Sequence, residues 1–332
     1  SKTGNADRPV VVALGDGGFV VFVEMYTYDL VSYESIDAIV AYRYDSAGTL
    51  TTTDTYGEFD GDKEYDSVYA IPTADGGFAA IMGGSQADDG EGFTEIVTWS
   101  PTSGAADFPL DSIDGQGGKL AELDDGRMAI LVERKLSEDA PDGIDLLLAQ
   151  PDGTLDAEIR LQNSYITYDT ALVVGSQGTI LVAAESGGPD LPFYAIVDTG
   201  GNIVLPATGM SGWENDSIQA AAFPDGDFFI MVTEDDSNAP MTWAIDAEGA
   251  LLRPMVIGDI TVVPDDAVGA FLPSDGNTIA HLAPSYDSDS PPYLSTYTKG
   301  LLQLRVESED EARLYNETPD TLDVTMVVHR TP

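Results

Sequence analysis

A short turn recurs six times along this chain, and its spacing limits what the chain can fold into. Each copy is an acidic or polar residue and a glycine, followed by an apolar run. The copies are Asp16-Gly17, Asp75-Gly76, Asp125-Gly126, Gln177-Gly178, Asp225-Gly226 and Asp275-Gly276. Their glycines are separated by 59, 50, 52, 48 and 50 residues. Self-similarity at a period near fifty residues is the mark of a repeat architecture, in which each unit buries its apolar faces against its neighbours.

A second turn follows each first one by 23 to 31 residues, at Gly48, Gly104, Gly153, Gly201, Gly249 and Gly300. Apolar runs flank both turns, so each repeat reads as four strands, A to D from the axis outward. Strands A and B, such as Val10–Leu14 and Phe19–Val23, are apolar at nearly every position, which predicts burial on both faces. Strand D, such as Thr49–Tyr56, mixes in polar residues, as an outer edge meeting water would. The expected fold is all-β: a single β-propeller of six four-stranded blades, with seven blades as the alternative. The repeats fall at about 8–60, 61–116, 117–168, 169–215, 216–264 and 265–306. Residues 307–332 exceed the sixth repeat and include Thr321–Arg330, read as a strand that closes the ring or leads out of it.

The first two repeats carry a fuller motif. Residues 13–50 contain ALGDGGFVVFVEMY and then DAIVAYRYDSAGTL, and residues 61–82 read GDKEYDSVYAIPTADGGFAAIM. This resembles the β-propeller-type repeats of large secreted bacterial adhesin-like proteins, with Leu-x-Asp-Gly-Gly-Phe-Val-Val and then Asp-x-x-Gly-Thr. The resemblance implies a propeller-like extracellular repeat and no catalytic residues. The Trp usual after the second strand is missing here, and the later four repeats match loosely.

Charge narrows the partners. The chain has 58 acidic and 14 basic residues, for a formal charge of −44. Such a surface repels nucleic-acid phosphate and anionic lipid, so neither is expected as a partner. It favours cations and basic partners, and it destabilises itself unless salt screens the repulsion. A saline exterior follows as the expected habitat, at the cell surface or beyond it. There are no cysteines, which excludes disulfides, and no apolar run approaches the length needed to span a bilayer. The chain opens on a polar stretch, so no signal peptide is read in it.

Acids recur just before strand A. Asp7, Asp66, Asp216 and Asp266 lie nine residues before the turn acids, and Asp169 lies eight before Gln177. The third repeat has Gln116 there, with Asp114 nearby. If strand A lines the axis, five carboxylates ring one mouth of the channel. One reading is that each ties its loop to a backbone N–H. The other is that several share an axial cation, with calcium the natural candidate because it accepts many oxygen ligands flexibly. Tyr65, Tyr168 and Trp213 sit beside these acids, and the first B–C loop carries Tyr26, Tyr28 and Tyr33. Aromatics with carboxylates on one face suit sugar rings, although tyrosines also pack between blades.

No nucleophile elbow or phosphate loop occurs, and the two histidines, His281 and His329, stand in no motif. The expectation is therefore a non-catalytic binding or surface-assembly module, recognising a glycan or protein at the loop-rich face. The alternatives are a calcium-dependent hydrolase of lactonase or esterase type and a purely structural surface protein.

Overall fold

The computed structural model describes residues 2–29, 35–56, 63–86, 92–107, 113–114, 116–134, 143–162, 166–186, 192–210, 217–233, 241–254, 270–275, 278–283, 293–298, 303–308 and 311–315, with side chains described only up to Ala250. Strand follows strand, with no helix among the described residues. The first sheet is β1 (Lys2–Ala13), β2 (Phe19–Asp29), β3 (Ser35–Tyr44) and β4 (Leu50–Tyr56). The second is β5 (Lys63–Pro72), β6 (Phe78–Gln86), β7 (Gly92–Ser100) and an outer strand in two pieces, β8 (Gly104–Asp107) and β9 (Ile113–Asp114), both paired with β7. The third is β10 (Gln116–Glu122), β11 (Met128–Arg134), β12 (Gly143–Ala149) and β13 (Leu155–Gln162). The fourth is β14 (Ile166–Val174), β15 (Thr179–Ser186), β16 (Phe193–Asp198) and β17 (Ile203–Gly209). The fifth is β18 (Ser217–Ala222), β19 (Phe228–Thr233), β20 (Met241–Ile245) and β21 (Leu251–Pro254). The sixth has β22 (Ala270–Asp275), β23 (Thr278–Ala283) and β24 (Tyr293–Thr298), and a final hairpin joins β25 (Gln303–Ser308) to β26 (Glu311–Tyr315).

Every sheet is an antiparallel meander in chain order, and the first strands β1, β5, β10, β14, β18 and β22 touch one another in succession. Sheets stacked face to face around their first strands make a β-propeller. The recurring Asp-Gly turn joins the two inner strands. In its first five copies the glycine has φ between 74° and 99°, which a side chain would strain. The turn acid caps its own turn: Asp16, Asp75, Asp125 and Asp225 each accept the backbone N–H two residues on.

Burial follows position in the sheet. Strand β12 is buried throughout, whereas β4 and β17 are mostly exposed. The innermost strands depart from the expectation of burial on both faces. In β1, Val12 is buried while Val11 and Ala13 are exposed, and β10, β14 and β18 mix buried with half-buried residues. An innermost strand has a ladder partner on one side only, and its free edge faces the axis.

Apolar seams join neighbouring sheets. Phe22 and Ile39 of the first meet Phe78 and Met82 of the second, with the Phe22 and Phe78 rings edge-on at 5.2 Å. Each such fully buried side chain contributes about 1.5–3 kcal/mol. At the turn end the seams are also tied by hydrogen bonds. Gly15 N donates to Gly76 O at 2.9 Å, Ala74 N to Glu122 Oε2 at 2.6 Å, and Gln177 Nε2 to Asp225 O at 2.6 Å.

One buried charge interrupts the apolar pattern. Asp145, 1% exposed, alternates with Leu147 and Ala149 on the face turned to the second sheet. Arg160 Nε and Nη2 donate to its two carboxylate oxygens at 2.5 and 3.0 Å. A Cβ at Gly143 would overlap the Arg160 guanidinium, so glycine makes the room. Arg160→Met should cost about 3–5 kcal/mol in urea unfolding, because it strands a buried carboxylate, and adding Asp145→Leu should restore most of the loss. Equal stability of the single variant and the wild type would show that the pair does not hold the seam.

Candidate functional site

The end of the propeller away from the Asp-Gly turns is built differently. Each of the first four innermost strands slips register there: β1 between Asp7 and Val10, β5 between Tyr65 and Ser67, β10 between Gln116 and Lys119, and β14 between Ile166 and Thr170. A bulge leaves residues unpaired and re-aims their side chains. Asp66 is the extra residue in β5, Asp169 lies within the irregular stretch of β14, and Asp7 and Gln116 each begin theirs.

Carboxylates face these positions from the second strands. Asp7 pairs directly with Glu24, and Gln116 with Glu133. Glu24 and Glu133 both stand seven residues after their turn glycines, as Glu185 does. By alternation Glu24 follows Val20 and Phe22 on the face turned to the second sheet. Glu133 follows Ala129 and Leu131 on the face turned to the fourth.

Across the first seam, the second sheet presents a phenol and a carboxylate. Tyr65 Oη donates to Glu95 Oε2 at 2.7 Å, and the Tyr65 ring meets Phe93 edge-on at 5.0 Å. Gly84 stands between these rings in the ladder, so no side chain separates them. Tyr65 is 5% exposed and Glu95 half-buried. Burial first, then the hydrogen bond to Glu95 and its charge, push the Tyr65 phenol well above the usual tyrosine range. The phenol therefore stays a neutral donor and orients Glu95. The first seam thus joins Asp7 and Glu24 on one sheet to Tyr65 and Glu95 on the next.

The other expected residues are distributed as follows. Tyr26 and Tyr28 lie in β2, opposite Asn5 and Thr3, and Tyr168 lies in β14 beside Asp169; only their backbones are described. The backbones alone are also described for Asp7, Asp66 and Asp169. Tyr33, Trp213, Asp216 and Asp266 lie outside the described residues. Among the described residues no group of three or more His, Asp and Glu could hold a metal ion. Glu24 and Glu133 could have been found from their constant distance to the turn glycine. Glu95 could not, because no repeat spacing fixes its place on the third strand.

No family model and no curated protein matches the chain. Solved structures do. A protein of unknown function from Dyadobacter fermentans superposes with a TM-score of 0.57 at 12% identity, over 89% of this chain and 94% of that one. A polysaccharide lyase, an ulvan lyase, gives 0.52 at 13%, over 89% and 82%. The α-L-arabinofuranosidase of Fusarium graminearum gives 0.53 at 10%, over 88% and 92%. At these identities the likeness is one of fold. It corrects one expectation nonetheless. The chain was read as a non-enzyme because no histidine or nucleophile motif appears, yet this architecture serves a lyase and a glycosidase, so a missing linear motif does not argue against catalysis. No helix among the described residues is long and apolar enough to cross a membrane.

The Tyr65–Glu95 bond makes a testable statement about pH. A group whose folded pKa is raised contributes stability that is fully present below its unfolded pKa, roughly 10 for tyrosine, and is lost as pH rises toward the folded value. Thermal melts between neutral pH and strongly alkaline pH should therefore fall more steeply in the wild type than in Tyr65→Phe. Parallel slopes would mean that the phenol ionises freely and does not hold Glu95.

Proposed function

We propose that this chain is an extracellular carbohydrate-cleaving β-propeller that acts on a neutral polysaccharide, at the end of the ring where the innermost strands begin. The observation that carries this reading is the direct pairing of Asp7 with Glu24 at the head of the first seam. Residues paired across antiparallel strands have Cβ atoms about 4.5–5.5 Å apart. Glycoside cleavage asks for two carboxyl groups side by side: an acid that protonates the leaving oxygen and a carboxylate that attacks the sugar or activates water. Glu95, oriented by Tyr65, supplies a third carboxylate on the facing sheet. The fold shared with an arabinofuranosidase and a polysaccharide lyase supports the substrate class. The charge of −44 supports a neutral polymer over an anionic one, since like charge is repelled at long range. Extracellular placement rests on the resemblance to secreted repeats and on a surface suited to saline water.

The test is a panel of neutral and anionic polysaccharides, with release of reducing ends as the readout. Cleavage of a neutral polymer is expected, with Asp7→Asn and Glu24→Gln each lowering kcat roughly 100- to 10,000-fold while the polymer still retards the protein in affinity gels. Retardation without cleavage by the wild type would reduce the reading to recognition alone. Cleavage confined to anionic polymers would overturn the choice of substrate.

We further propose that calcium is drawn to the acids that recur in sequence ahead of the innermost strands, Asp7, Asp66, Asp169, Asp216 and Asp266. The melting temperature should rise with sodium chloride through screening. It should rise further with calcium than with magnesium at matched ionic strength, since magnesium demands tighter geometry and holds its water. Equal effects of the two divalent ions would leave a diffuse acidic surface with no site.

A further inference from the structure

The first sheet differs in one respect from the second to fifth. On the second strands of those four, residues 78–82 of β6, 128–132 of β11, 180–184 of β15 and 228–232 of β19 are all buried, so both faces of each are covered. Strand β2 alternates instead: Val20 and Phe22, turned to the second sheet, are buried, while Phe19, Val21 and Val23 on the other face are only half-buried. Register extends that face across the sheet, from Val11 through Val21 to Tyr42 and from Ala13 through Phe19 to Tyr44. Val11 is 64% exposed and Tyr42 and Tyr44 are half-buried, while Val40 and Ala38, further along the same face of β3, are buried. An uncharged apolar face is out of place as free surface on a chain of charge −44.

The chain ends its described course in an element with a matching need. In the first five repeats the strand after the second turn joins its own sheet as the outer edge. Strand β25, after Gly300, does not: it pairs with β26 in a separate hairpin. The register Leu304↔Leu314 and Val306↔Ala312 puts four apolar residues on one face, and Arg305↔Arg313 puts two arginines on the other. An isolated two-stranded hairpin is marginal in water and needs a surface to pack on.

We propose that this C-terminal hairpin stacks its Leu304, Val306, Ala312 and Leu314 face on the open face of the first sheet and closes the ring as a short seventh sheet. Three observations select it over other occupants. The sheets pack in chain order, so a hairpin that follows the sixth sheet takes the next place in the ring. The hairpin has left the sixth sheet, with an apolar face still to cover. The hairpin carries two arginines, Arg305 and Arg313, whereas a second copy of the chain would bring another −44 against an acidic body.

The absence of cysteine makes the test clean. Pairs of cysteines are introduced as Val11→Cys with Leu304→Cys, Val306→Cys or Arg305→Cys, and with Ala280→Cys in β23. They are oxidised mildly and read by non-reducing electrophoresis and peptide mass spectrometry. Single-cysteine variants, melted in parallel, establish that the fold is intact. Val11→Cys should bond within one chain to Leu304→Cys or Val306→Cys and far less to Arg305→Cys. Preferential bonding to Ala280→Cys would make the sixth sheet the cover and overturn the proposal. Bonds between chains would make a second copy the occupant and overturn it as well, as would no bond at all in folded protein. None of these outcomes depends on carbohydrate cleavage.

Discussion

The structure depends on one requirement: a sheet that is apolar on both faces has to be covered on both. The side chains at 228–232 in β19 are fully buried, and those at 180–184 in β15 likewise, because each lies between two neighbouring sheets. No single meander of this kind is stable in water, since exposing either face costs roughly 25 cal/mol for each Å² of apolar area. The repeat period is therefore a folding constraint before it is a pattern. Each unit contributes half of two seams, and the stack gains its stability only as units accumulate. The same requirement gives the uncovered face of the first sheet its meaning.

The seams also set the two ends of the ring apart. At the turn end they are closed by backbone approaches so tight that a Cβ on Gly15 would lie 2.6 Å from Gly76 Cα. Between those two turns there is no room for a ligand. At the other end register breaks, the apolar alternation runs out at Glu24 and Glu133, and a buried phenol holds Glu95. Polar groups can be gathered there because the packing below them already fixes the strands. A carboxylate at Glu24 costs little stability at the rim, whereas two residues deeper, at Phe22, it would lie in the core. The buried Asp145 shows what a charge inside a seam requires: a two-point bond to Arg160 and a glycine to make space for the guanidinium.

The fold was legible because its punctuation is chemical. A glycine at φ near 85°, as at Gly17, Gly76 and Gly126, is a local demand of the turn, and the strands on either side inherit its spacing. Asp7, Asp66 and Asp169 were singled out by distance from that turn, and the bulges lie at the same points. The pairing of Tyr65 with Glu95 was not legible, because it joins the first and third strands of a sheet across thirty residues. The separate hairpin at β25 and β26 was missed for a related reason. Its apolar alternation is that of any outer strand, and only the register shows that it pairs forward to β26 rather than back to β24. The argument against catalysis failed for a different cause: it looked for residues close together in sequence, on an architecture that brings them together only in space.

Charge completes the account. The four cationic side chains that the structure describes are each engaged within the fold. Arg43 lies over the Trp99 ring at 4.3 Å, across the first seam, and Lys119 lies over Tyr69 at 4.6 Å, across the second. Arg127 joins Asp125 and Asp156, and Arg160 is held by Asp145. These cations are structural members of seams and turns, and they leave the surface around them to the acids. A sugar polymer without charge meets no long-range repulsion from such a surface. It can also exchange hydrogen bonds with carboxylates, which are acceptors for hydroxyl donors. A polyanion would need cations to receive it, and the four described among the chain's fourteen basic residues are engaged in holding the sheets together. On the reading proposed above, the scarcity of basic residues and their use in packing act in the same direction.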